Sequence, residues 1–303
     1  MKTKLFFTVV IVLLSSTKLM SQDLDKLLDA ETEARTEYTA GTFKATRLIN
    51  GQSIERMQTG QLDFRIDHRF GLITDSYNAF GLDQSNVHIT LDYGINDWLM
   101  VGLGRAAMEK TVDGFLKFSA LRQSTGKINM PVSVSLFLGA DMKGSNPVTT
   151  ADSLYANRFS YTSQILIARK FTENLSLQLM PTFVHRNLVV DPADQNNVFA
   201  IGIGGRYKLN SRVSLNVEYY HSLTAHSAST YNPLAVGFDI ETGGHVFQLF
   251  VTNAVWNTER GFITGTTNNW MKGDVRLGFK ISRVFPLIPR KDKSTEIEKQ
   301  VGL

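Results

Sequence analysis

The sequence predicts an all-β fold: an antiparallel transmembrane β-barrel of about 12 strands with a short N-terminal helix on its periplasmic side. Three observations carry that prediction. From Gln61 to Phe285 the apolar residues recur at every second position, in segments close to the roughly 9–11 residues a tilted strand needs to cross a bilayer. The connections between these segments alternate between long and short. The first residues have the form of an export signal. Composition agrees, since 43% hydrophobic and 20% charged residues in a chain of 303 exclude a disordered protein. Cysteine is absent, which excludes disulfides, thiolate metal sites, c-type haem attachment, cysteine nucleophiles and a lipid-modified cysteine anchor. The net charge is +4. Three of the lysines fall in the leader, so charge gives no reason to expect a nucleic-acid partner.

Lys2 and Lys4 precede the apolar run Leu5–Leu14, and Ser15, Ser16 and Thr17 follow. This is a signal peptide over residues 1–21, cut after Ser21. A membrane anchor would need roughly 20 apolar residues, and Lys18 ends the run too soon. Residues 22–60 form a periplasmic helix and linker. Leu24, Leu27 and Leu28 share one face of a helix over 23–37. Residues 41–58 read equally well as a partial plug of the lumen or as a flexible leader to the first strand.

The barrel spans 61–285. Leu62, Phe64, Ile66 and Phe70 alternate with Asp63, Arg65, Asp67 and Arg69. The same period organises 87–93, 132–138, 175–183, 213–219 and 275–281, with weaker strands near 98–105, 112–121, 158–169, 198–207, 234–241 and 245–254. Long connections (71–86, 142–157, 186–197, 222–233, 255–271) alternate with short ones such as Thr172–Asn174 and Thr242–Gly244. The segments 106–111 and 122–130 fit least well. A soluble β-sandwich also alternates along its strands, but it has no reason to place its long loops on one side. An outer-membrane barrel does, and an even strand number leaves both termini in the periplasm. Closure leaves no unpaired edge in hydrocarbon. The tail 286–303 is charged and periplasmic.

Charged residues on the lipid face would cost about 2–4 kcal/mol each near the midplane, so they must point inward. The predicted lumen cluster is Asp63, Arg65, Asp67, Arg69, Arg206, Glu218, Asp239, Glu241, Asp274, Arg276 and Lys280. Closure of the first strand on the last brings its two ends together. Mixed signs favour a salt-bridged interior over a selective field. His88 points to the lumen, while His68, His185, His221 and His245 fall in apolar phase near strand ends. No ligand spacing implies a metal, and no cofactor is predicted. His221–Ser222 and His226–Ser227 are adjacent in sequence, so on a strand they face opposite ways and make poor acyl-transfer pairs. The GIGGR segment, Gly202 to Arg206, precedes no helix and is not a phosphate loop. Gly243–Gly244 suits a tight hairpin.

Several segments resemble an uncharacterised Gram-negative family known as a β-barrel domain of unknown function. They are Thr46–Ser53 (TRLINGQS), Leu62–Gly71 (LDFRIDHRFG), Gly81–Asn86 (GLDQSN), Met180–Asn187 (MPTFVHRN), Ile240–Leu249 (IETGGHVFQL) and Gly278–Phe285 (GFKISRVF). The resemblance implies an outer-membrane barrel and carries no activity. Outer-membrane lipid and the barrel-assembly machinery are the expected partners, and a periplasmic protein is admitted as a third. The leading expectation is a non-enzymatic barrel passing a small polar solute, passively or through a gate. The alternatives are a non-conducting barrel that binds a ligand or protein through its long loops and N-terminal segment, and a barrel lipid hydrolase.

Overall fold

The structure is a computed structural model that describes residues 35–288 except 148, 190, 226 and 228. The leader, the predicted helix up to residue 34, His226 and the tail from 289 lie outside the described residues. In chain order the strands are β1 (Thr36–Tyr38), β2 (Gln61–Leu72), β3 (Ser85–Gly94), β4 (Leu99–Ala106), β5 (Val112–Leu121), β6 (Ser124–Gly126) and β7 (Ser133–Met142). They continue with β8 (Phe159–Lys170), β9 (Leu175–Arg186), β10 (Asn197–Lys208), β11 (Val213–Ser222), β12 (Leu234–Thr242), β13 (His245–Thr252) and β14 (Arg276–Pro286).

Two units are distinguishable by their contacts. In one, β1 pairs antiparallel with β6, and the Arg122 guanidinium lies 4.2 Å from the centre of the Tyr38 ring. This corrects the end of the expected helix: Thr36 and Glu37 are extended. Thr36 and Tyr38 are β-branched and aromatic, types that suit a ladder. It also accounts for the poor fit of 122–130 to a short turn, because β6 lies in that segment.

The other unit is a closed antiparallel barrel of the remaining twelve strands, each paired with its chain neighbour, with β14 closing on β2. The closing register sets Lys280 against Asp67 and Ile281 against Ile66. Parity then sorts every strand. Ile89, Leu91, Leu103, Leu116, Ile165, Leu179, Ile203, Val217 and Leu249 are exposed on the outer face, while Asp63, Arg65, Lys117, Gln178, Glu218 and Lys280 are buried on the inner one. The Gly243–Gly244 hairpin closes β12 to β13 with Gly243 at φ +51°, a conformation glycine adopts without steric cost.

The inner wall departs from expectation on one side. On β8 to β11 it carries Leu166, Met180, Val184, Val198 and Tyr220, all buried in one apolar cluster with Phe43, Leu48, Ile54, Phe262 and Ile263. A polar conduit was expected around the whole lumen. Apolar residues can turn inward here because two inserted segments cover them. One is residues 41–58, which leave the barrel beside the short 95–98 turn, where the Gly60 N–H donates to the Gly94 carbonyl (2.9 Å). The other is the long connection 253–275 from the opposite end. Its helix Glu259–Thr264 is capped by Thr258 and is buried apart from Arg260.

The outer belt yields a prediction. Leu249→Arg, in the middle of β13, places a cation in lipid and is expected to destabilise the vesicle-embedded barrel by about 2–4 kcal/mol. Urea unfolding in vesicles measures it. Loss of less than a tenth of that range would mean the face does not meet hydrocarbon.

Candidate functional site

Residues Thr46–Ser53 form a tight hairpin. The Ser53 N–H donates to the Thr46 carbonyl (3.0 Å) and the Leu48 N–H to the Gly51 carbonyl (2.9 Å). Arg47 and Gln52 face each other across it. A hairpin this small leaves most of its main-chain groups without partners of its own, and those groups are buried. The strands supply the partners.

At the tip, three consecutive N–H groups, of Ile49, Asn50 and Gly51, donate to the Glu218 carboxylate on β11 at 3.0–3.1 Å. Successive amides aimed at one point make an anion-binding nest, and here the anion is a side chain of the same protein. The carbonyls are answered by cations and amides. Lys117 on β5 donates to the carbonyls of Thr46 (3.3 Å), Ser53 (3.1 Å) and Glu55 (3.0 Å). Gln248 on β13 takes the Leu48 carbonyl (2.7 Å) and Gln178 on β9 the Gln52 carbonyl (2.7 Å). Lys280 on β14 takes the Ile49 carbonyl. The other insert adds Glu259, whose carboxylate receives Arg47 (2.5 Å) and Gln52 (2.9 Å). Close approach is possible because Gly51 lies against Tyr220: a Cβ at 51 would fall 2.1 Å from its hydroxyl oxygen. Burial raises the Glu55 carboxyl above the usual carboxylate range, although the Phe43 N–H and the nearby Lys117 ammonium pull it down.

The structure does not bring the predicted charge cluster together as one group. Asp63, Arg65, Asp67, Arg69 and Lys280 are buried together along the β14–β2 seam. Arg65 pairs with Asp63 and reaches Asp92 at 3.6 Å, while Asp67 lies 3.1 Å from Lys280 and 3.4 Å from Arg69. Glu218 on β11 and Asp239 on β12 lie on the wall three and two strands from β14, with Asp239 bound by Gln248 (2.8 Å). Arg206 donates to the Gly41 carbonyl (2.9 Å), and Lys44 pairs with half-exposed Glu241. Arg276 donates to the Phe70 carbonyl (3.0 Å). Asp274 stands apart: β14 begins two residues later, and its carboxylate accepts from the Asn269 N–H (3.2 Å) in the preceding loop. The parity reading carried the strand two residues too far, across an irregular register at Arg276–Gly278.

Inward residues outside the predicted cluster include Lys117, Asp92, His88 and Asp113, the last two 2.8 Å apart. Of these, only His88 is placed in the lumen from the sequence, and nothing local marks Lys117 as a ligand of the hairpin. Among the outward histidines, His68 Nε2 lies 2.9 Å from Ser85 Oγ, a pair that neighbouring positions in sequence could not reveal. Among the described residues its buried Nδ1 has no hydrogen-bond partner, so none of them serves as the third group that orients an imidazole in acyl transfer. Ser222 and His221 go to separate partners, Thr224 and Asn232. At the long-loop end lies a cavity of about 350 Å³, lined in part by Glu109, Lys143, Arg158, Arg186, Trp256 and Arg260.

The sequence matches the family described as "Membrane bound beta barrel domain (DUF5777)" over residues 43–285. No curated protein matches it. Among solved structures it is similar to the NanC porin, at 10% identity, with 74% of this chain and 98% of that one covered and a TM-score of 0.47. It is similar to an outer-membrane channel of Pseudomonas putida F1, at 13% identity, 77% and 98% coverage and a TM-score of 0.47. A third is outer membrane phospholipase A of Escherichia coli, at 13% identity, 75% and 91% coverage and a TM-score of 0.43.

Glu218→Gln replaces one acceptor oxygen by a donor facing three N–H groups. Leaving buried donors unmatched costs roughly 1–3 kcal/mol. Hydrogen exchange at Ile49, Asn50 and Gly51 is therefore expected to accelerate about ten- to hundred-fold, whereas Asp274→Asn leaves those amides unchanged.

Proposed function

The chain belongs to the family of membrane-bound β-barrel domains, and on that premise we propose that it is a gated outer-membrane conduit for small polar solutes, held shut here by residues 41–58. The grip of Glu218 on the three N–H groups of the hairpin tip carries this reading. That grip is made of hydrogen bonds, which exchange for water once the element moves. The segment is flanked by Gly41 (φ +65°) and Gly60 (φ +77°). Left-handed glycines at both ends are suited to absorb the change of backbone angle that a hinged element needs.

With the hairpin withdrawn, Asp63, Arg65, Asp67, Arg69, Lys117, Glu218 and Lys280 line the passage and position solute and water, and no residue does covalent chemistry. The Ser85–His68 pair does not favour the hydrolase reading, because its imidazole lacks an orienting group among the described residues. In this reading the leader exports the chain and the barrel-assembly machinery inserts it. The short turns, both termini and the 22–40 segment face the periplasm, where a protein partner can reach the hairpin. The long loops face outside.

Planar-bilayer recording tests the gate. The full protein is expected to be closed for most of the record. Removal of residues 41–58 is expected to give stepwise current, and Glu218→Gln to raise the open fraction severalfold. Silence of the shortened protein would sink the conduit. Orientation has its own test, helped by the lack of native cysteine. A single cysteine in 143–147 should react with an impermeant maleimide on intact cells, and one in 209–212 only after the outer membrane is broken.

A further inference from the structure

The helix Glu259–Thr264 presents successive residues to two different places. Glu259 is buried and holds Arg47 and Gln52 of the hairpin. Arg260 lines the cavity at the long-loop end and donates from Nη2 to Glu109 Oε2 (3.0 Å). Lys143 reaches the other oxygen of the same carboxylate, also at 3.0 Å. Glu109 is held in a left-handed backbone conformation (φ +50°), one that non-glycine residues seldom adopt. Its carbonyl accepts the N–H groups of Gly144 (3.1 Å) and Ser145 (2.9 Å). One fixed internal carboxylate therefore bridges two cations from two loops.

Arg158 also lines this cavity. Its guanidinium donates to the main-chain carbonyls of Asp152 (3.0 Å) and Lys143 (3.5 Å), and among the described residues it makes no ion pair. Elsewhere in the lining, Arg186 takes Asp194 (3.3 Å), and Asp191 accepts from the Ala193 N–H of its own loop (2.9 Å). Lys143 and Arg260 share the one carboxylate of Glu109, with Asp152 3.9 Å from Lys143, and Arg158 is the lining cation that no carboxylate of the described residues answers. With two of its five N–H donors on carbonyls, the planar Arg158 guanidinium keeps donors for a carboxylate, and about 350 Å³ admits only a small molecule.

We propose that this cavity binds a small carboxylate-bearing solute through Arg158, Lys143 and Arg260 in place of Glu109, and that binding releases the hairpin through the helix Glu259–Thr264. Arg260 drawn to the solute leaves Glu109 and carries Glu259 away from Arg47 and Gln52. The release half rests on the gated reading above; the binding half does not. Linkage makes the coupling reciprocal, so a freed hairpin must also tighten solute binding.

Trp256 lines the cavity, and with Trp98→Phe and Trp270→Phe it is the sole tryptophan of the full chain. Gluconate is expected to change its fluorescence saturably. Sorbitol, the same carbon chain without the carboxylate, is expected to leave it unchanged, and Arg158→Gln to weaken gluconate binding at least tenfold, with Lys143→Gln as a second variant. In bilayers, gluconate on the loop side should raise the open fraction severalfold, and Glu259→Gln should remove that dependence while gluconate still binds. No saturable response, an equal response to sorbitol, or unchanged affinity in both variants overturns the site. Gluconate binding without effect on opening, in a protein that conducts once 41–58 are removed, overturns the release and leaves the gate. Silence after that removal overturns the gate and the release with it, while the fluorescence titration still decides the site.

Discussion

A hairpin that enters a ring of strands takes its own amides and carbonyls away from bulk water, and the need to pair each of them shapes the rest of this structure. Glu218 answers the tip N–H groups, and Lys117, Lys280, Gln178 and Gln248 answer the carbonyls. The responding side chains come from five strands around the wall. Each is long enough to reach inward, and each bears the sign its target requires. A shorter or apolar residue at any of these positions would leave a buried main-chain group unmatched, at a cost of roughly 1–3 kcal/mol. The barrel and its insert are thus matched group by group rather than by volume alone.

The alternating signs of β2 follow from the same constraint. A buried cation without a partner is far more costly than a surface pair is stabilising. Asp67 lies between Lys280 and Arg69, and Arg65 between Asp63 and Asp92, so neutrality is reached locally along the seam where the barrel closes. Arg69 also spans outward to the Ala254 and Trp256 carbonyls, tying the seam to the second insert. Toward β8–β11, Leu166, Met180, Val184 and Tyr220 join Leu48, Ile54, Phe262 and Ile263 in one apolar cluster. The hairpin is therefore held both by polar contacts and by apolar packing, with Glu218 and Gln178 adding polar contacts on that side too.

Strand number, closure and the inward direction of the β2 charges were legible because a period of two depends only on neighbouring residues. The lodging of 41–58 was not. TRLINGQS reads locally as a turn, and its partners lie far along the chain, 169 residues away for Glu218 and 231 for Lys280. Chain separation also hid the Ser85–His68 pair, which lies across neighbouring strands. The apolar part of the inner wall had left a trace: Leu166, Met180, Val184 and Tyr220 occupy inward phase beside polar residues such as Gln164, Gln178 and Glu218, and large apolar groups turned inward need cover. Read that way, the trace calls for an insert. Asp274 failed for the opposite reason, since period alone does not say where a strand starts when its first residues are irregular in register.

The segments that carry the family resemblance meet around the hairpin. TRLINGQS is the hairpin itself, LDFRIDHRFG is the charged strand of the seam, and GFKISRVF brings Lys280. IETGGHVFQL brings Gln248, MPTFVHRN brings Met180 and Val184, and GLDQSN brings Asn86, which holds Asn257 of the second insert (2.6 Å). The loop-end cavity takes Arg186 from MPTFVHRN and draws otherwise on other stretches. Glu109, Lys143, Arg158, Trp256 and Arg260 all lie outside those segments. The side chains that grip the hairpin and those that line the loop cavity are different residues, and they adjoin at the peptide bond between Glu259 and Arg260. Loop residues around the cavity can then change while the strands keep their hydrogen bonds to the main chain of the hairpin.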